Sequence, residues 1–95
     1  MLVVTVRFAV KKEHSVAFNA RVRKQAADSL ALEDDCHHFD IAARVGDPSK
    51  IFLYEIYADE AAFQEFIRSE AFRAVTKWGK EQILSSRPQH KIYKH

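Results

Sequence analysis

The sequence predicts an α+β domain of the ferredoxin-like kind, β-α-β-β-α-β in chain order, with an antiparallel sheet carrying both helices on one face. Three observations carry this expectation. Residues Leu2 to Val10 are rich in β-branched side chains that alternate in pattern. Ser15 to about Leu32 carries apolar residues at helical spacing among Arg21, Arg23, Lys24 and Gln25. Two further strand-like runs flank the cluster Gly46-Asp47-Pro48-Ser49, and a helix start follows at Asp59.

In the first strand Val4, Val6, Phe8 and Val10 share one face, and Val3, Thr5, Arg7 and Ala9 share the other. Lys11-Lys12-Glu13-His14 is a polar link to the first helix, whose apolar stripe reads as Val16, Ala20, Ala27 and Leu30. Glu33-Asp34-Asp35 breaks that helix and reads as a turn rather than a ligand pair. Strand character returns from Cys36 to Val45, with Phe39, Ile41, Ala43 and Val45 on one side. The cluster 46–49 turns the chain into a third strand, so the second and third strands form an antiparallel hairpin.

The third strand, Phe52-Leu53-Tyr54-Glu55-Ile56-Tyr57, sets an ionisable carboxylate among aromatic side chains. Alternation places Leu53, Glu55 and Tyr57 on one side, where Glu55 must find hydrogen-bond donors or have its pKa raised by desolvation. Asp59 is the expected N-cap of the second helix, with Glu60 in its first turn. Phe63, Phe66 and Ile67 lie at i, i+3 and i+4 there; Phe72, Val75 and Trp78 continue after Ser69-Glu70, where a kink would split the run into two helices. Gly79 is a candidate stop. Gln82 to Ser86 and Gln89 to Tyr93 then supply a last strand, which Pro88 assigns to an edge or a bulge. Because neither face of the central strands is polar throughout, the face opposite the helices must also be covered. A second copy packed there makes a dimeric α+β barrel.

Ninety-five residues form one domain, 1–95, small enough that association would add materially to its stability. A net charge of +2 arises from 15 basic and 13 acidic residues, a near balance that implies no nucleic-acid partner. The single cysteine, Cys36, excludes an intramolecular disulfide and a cysteine-based zinc site, and reads as a small buried strand residue. The opening apolar run lacks a preceding basic region and is too short for a signal or a membrane span, so a cytoplasmic protein without membrane contact is expected. His14, His90 and His95 have no metal-ligand spacing, and Gly46 and Gly79 are too few for a phosphate loop.

Four features together resemble the antibiotic biosynthesis monooxygenase superfamily of small dimeric α+β barrel proteins. They are Val3-Val4-Thr5-Val6, Cys36-His37-His38-Phe39-Asp40 after an acidic turn, the Asp47-Pro48 hairpin, and Phe52 to Tyr57 followed by Asp59-Glu60-Ala61. The resemblance implies a cofactor-independent monooxygenase acting on an aromatic or quinol-like metabolite. Its alternatives are an isomerase of a small phosphorylated sugar-like signal, for which Arg7 and Arg44 are the available cations, and a non-catalytic ligand-binding or stress-response module. The chain departs from the family pattern at Glu33-Asp34-Asp35, where many relatives have Glu-Pro-Gly, and at Phe66 and Ala71, where many have histidine. The absence of any histidine between His38 and His90 argues against the haem ligation of some relatives.

Such an oxygenase needs a base, an apolar pocket for the ring and room for dioxygen. The candidate catalytic residues are His38, whose neighbour two along is Asp40, together with Glu55 and Tyr57. Alternation sets His38 with Cys36 and Asp40, and His37 with Phe39 and Ile41. Leu53, Phe63, Phe66 and Trp78 are the candidate pocket walls; Arg7, with Thr5, is the candidate for orienting substrate oxygen or for neutralising Glu55. No metal or bound cofactor is expected.

Overall fold

A computed structural model describes residues 1–69, 73, 76, 77, 79 and 89–94. The elements are β1 (Leu2–Ala9), a 3-10 turn (Lys12–His14), α1 (Ser15–Leu32), β2 (Cys36–Arg44), β3 (Asp47–Tyr57), α2 (Glu60–Arg68) and β4 (Gln89–Lys94). The four strands form one antiparallel sheet in the order β2-β3-β1-β4. This is the ferredoxin-like α+β fold that the strand and helix order predicts. β4 takes an edge, as expected of a strand that follows Pro88; the segment 82–86 lies outside the described residues.

Register explains how the core forms. Leu2, Tyr57 and Cys36 stand in one row across the sheet, Val4, Glu55 and Phe39 in the next, and Val6, Leu53 and Ile41 in the third. All nine are buried. The helices cover this face through Phe18, Val22, Ala26, Ala62 and Phe63, and Phe8, Phe66 and Ile67 pack at its margin. Phe18 meets Phe8 edge to face with ring centroids 5.3 Å apart.

The buried stripe of α1 differs from the one read off the sequence. Ser15, Phe18, Val22, Ala26 and Ser29 face the sheet, whereas Val16 is 83% exposed and Ala20, Ala27 and Leu30 also face outward. Both sets repeat at helical spacing, because apolar residues are distributed around the whole girth of α1. The sheet selects the stripe that carries Phe18, the bulkiest apolar side chain of the helix.

Two loop expectations also change. The hairpin turn is the pair Val45-Gly46, with Gly46 at φ +82°, a left-handed conformation suited to glycine. Val45 is therefore 98% exposed instead of joining the core. Asp47-Pro48-Ser49 opens β3, where Asp47 Oδ1 accepts from the Ser49 amide at 3.2 Å and from its hydroxyl at 2.5 Å.

The helix boundaries follow simple chemistry. Asp59 caps α2 by accepting from the Ala62 amide at 2.9 Å. Removing this acceptor with Asp59→Ala should cost about 1 kcal/mol, measured by urea denaturation. Ser69 is extended (ψ 149°), which ends α2, and Arg73, Thr76, Lys77 and Gly79 are helical again beyond it. The break expected at Ser69 is present, while Gly79, expected as a stop, is itself helical.

Candidate active site

Glu55 is 3% exposed in the middle of the helix-covered face, and its carboxylate accepts a hydrogen bond of 2.5 Å from the Tyr57 hydroxyl. The two side chains meet because residues two apart on a strand share a face. Burial pushes the Glu55 carboxyl from 4.5 up to about 7, with the Tyr57 hydrogen bond acting in the opposite direction. Burial and the adjacent carboxylate raise the Tyr57 phenol well above its ordinary range. Tyr57 is thus a fixed donor, and Glu55 is the group of the pair that exchanges a proton near neutrality.

Aromatic rings surround this pair. Tyr57, 1% exposed, lies 5.4 Å from Phe63 and 5.6 Å from Phe66 between ring centroids. Phe66 also meets Phe39 at 6.0 Å, and Leu53 is buried one row along. Sequence reasoning did not select Phe39 as a site residue, although it shares the Glu55 row through register. Phe66 also lines a groove of about 670 Å³ along α1, with Ala20, Gln25 and Leu32 among its other walls. The ring of Phe66 therefore stands between an open groove and the enclosed Glu55–Tyr57 pair. Trp78, the other predicted wall, lies outside the described residues.

The remaining candidates are not brought together with Glu55. Arg7 is exposed on the opposite face, its guanidinium 5.9 Å over the Phe52 ring, and so it neither orients nor neutralises anything at Glu55 within one chain. Thr5 shares that face, in register with Tyr54. His38 also lies there, with its ring 5.7 Å from that of Tyr54. Its Nε2 is 3.9 Å from Asp40 Oδ2, beyond hydrogen-bonding distance.

A bulge between Cys36 and His38 corrects the expected alternation: two residues of β2 oppose one step of β3, so His37 is the extra residue. Cys36 then joins Phe39 and Ile41 in the core instead of sharing a face with His38. Burial raises the thiol pKa there, and Glu55 adds to the shift. Among the described residues no cluster of three histidine, cysteine or acidic side chains is placed to hold a metal.

The sequence pattern of the antibiotic biosynthesis monooxygenase family matches residues 1–78. The chain belongs to that family. Solved structures agree at the level of fold. A candidate antibiotic biosynthesis monooxygenase from Nitrosomonas europaea is 22% identical and superposes with a TM-score of 0.90 over 100% of this chain and 98% of its own. Another from Deinococcus radiodurans gives 0.90 at 12% identity, covering 100% and 92%. A Bacteroides thetaiotaomicron protein of unknown function, described as a possible oxidoreductase, gives 0.86 at 12% identity, covering 99% and 96%. No curated protein matches the sequence. In this antibiotic biosynthesis monooxygenase family member Phe66 packs on Tyr57, closing the aromatic wall beside Glu55.

Proposed function

We propose that this protein is a monooxygenase that oxidises a quinol-like or hydroxyaromatic metabolite without a tightly bound cofactor, with Glu55 as the base. The observation that carries the reading is the buried Glu55 carboxyl, raised to about 7 beside an aromatic wall. A base is most effective when its pKa lies near the working pH. The substrate ring enters from the α1 groove past Phe66, and ionised Glu55 takes the phenolic proton. The electron-rich ring then attacks dioxygen. One oxygen atom is retained on the ring and the other leaves as water, the substrate itself supplying all four electrons. For 1,4-hydroquinone the products are hydroxybenzoquinone and one water per dioxygen consumed.

The test is oxygen consumption with simple hydroquinones. We expect stoichiometric uptake, reduced in Tyr57→Phe, whose carboxyl loses its donor and titrates at higher pH, so that the rate–pH profile shifts to the alkaline side. No uptake with any hydroquinone, or an unchanged profile in Tyr57→Phe, would refute the reading. Ligand-induced thermal stabilisation without turnover would favour a binding module instead.

The working unit in this reading is a homodimer. Val3, Phe52 and Ile56 are only partly covered on the open sheet face, Tyr54 and Tyr93 are exposed there, and every residue of β4 is exposed. A second copy on this face would bury that apolar surface. Light scattering at micromolar concentration should give about twice the 11.0 kDa chain mass; a value near 11.0 kDa refutes the dimer.

A further inference from the structure

The groove along α1 carries a polar group that the oxidation step does not use. Arg21, Gln25, Ser29 and Leu32 stand three or four residues apart and so form one ridge of the helix. All four line the groove of about 670 Å³, to which Ala20 and Phe66 add apolar walls. Within this ridge the Gln25 side-chain nitrogen, Nε2, is shielded from solvent and yet has no hydrogen-bond partner. It is the one buried side-chain nitrogen or oxygen in that condition among the described residues.

Acceptors on the same helix are engaged elsewhere. Asp28 takes the Lys24 ammonium at 2.9 Å, and Asn19 takes the Arg23 guanidinium. A buried donor left without an acceptor destabilises a fold, and one in the wall of a groove is satisfied when a ligand brings the acceptor. The groove volume falls within the range of small-molecule sites, roughly 300 to 1,000 Å³.

We propose that Gln25 sets specificity in this groove by donating from Nε2 to a second oxygen of a hydroxyaromatic ligand, the oxygen other than the phenolic one that meets Glu55. This rests on the reading that the groove admits such a ring, and it narrows the class to phenols carrying a further hydrogen-bond acceptor. A site built to bond an oxygen rejects the analogue that lacks it, because the amide is then left unpaired.

4-Methoxyphenol and 4-ethylphenol have nearly the same shape and differ in that acceptor oxygen, and isothermal titration calorimetry under argon reads their binding without turnover. The ratio of their affinities, methoxy over ethyl, should fall roughly tenfold from wild type to Gln25→Met, which keeps the side-chain length and removes the donor. Gln25→Glu, which keeps the shape and offers an acceptor in place of the donor, should lower the ratio as well. A merely structural role would change the binding of both phenols together and leave the ratio where it was. Ligand-free Gln25→Met should melt no lower than the wild type, since no donor remains to be satisfied. The proposal is overturned if neither phenol binds, or if the ratio holds in either variant. It is also overturned if ligand-free Gln25→Met melts well below the wild type, which would show that the amide already has a partner within the fold. A ratio that falls in the variants, with no oxygen uptake from hydroquinones, would refute the oxidative reading and leave this assignment standing.

Discussion

Glu55→Gln should abolish most of the oxygen-consuming activity and, in the same variant, remove much of the pH dependence of stability. General-base assistance is typically worth about 100-fold or more, so a loss of that order is expected at pH 7.5 with hydroquinone. The stability effect has a definite sign. With a carboxyl at 4.5 in the unfolded chain and about 7 in the folded one, the folded state holds its proton more tightly. The associated stability is present below pH 4.5 and is lost as pH rises through 7. Over that window the loss amounts to roughly 3 kcal/mol. Thermal melts of the wild type should therefore fall between pH 5 and 8, while those of Glu55→Gln stay flatter. The amide adds donors that need partners, so its gain at pH 8 should be smaller than the full linkage value. Parallel melting curves for the two proteins would show that Glu55 is not the group that titrates. Unchanged turnover would remove it as the base.

Phe18→Ala should be the most damaging single truncation on α1, costing about 3 to 5 kcal/mol in urea denaturation. Phe18 is among the most completely buried side chains, lies edge to face on Phe8, and anchors the helix that forms one wall of the groove leading to Phe66. Val16→Ala on the same helix should change stability by no more than about 0.5 kcal/mol, because Val16 is already in water. Equal losses in the two variants would reverse the assignment of the buried stripe.

Sequence pattern is sufficient for some of these features and insufficient for others. The strands and helices were legible because each carries a local signal: a β-branched run for β1, an aromatic-rich run for β3, an acidic break after Leu32, and Asp59 before Glu60. Placement of Glu55 beside Tyr57 on one face was legible too, since alternation in an unbulged strand is fixed by backbone geometry. Arg7 could be placed opposite Val4 and Val6 by the same rule. Only the pairing of Val4 with Glu55 showed that Arg7 is thereby turned away from the carboxylate. His38 is turned away from the carboxylate by the same alternation, since its neighbour Phe39 is the residue that pairs with Glu55; the one-residue bulge instead moves Cys36 to the core face, and nothing in Cys36-His37-His38 announces it.

By itself, then, the sequence determined the order of elements, their capping and breaking, and the presence of a carboxylate among aromatic residues. These follow from interactions spanning a few residues, which any chain segment carries with it. The tertiary structure decided which stripe of α1 is buried, that Phe66 separates the groove from Glu55 and Tyr57, and that the Gln25 amide nitrogen is buried in the groove wall. Each of these depends on strand register and on competition between surfaces for the same core. Such contacts join residues far apart in the chain, and no local periodicity encodes them.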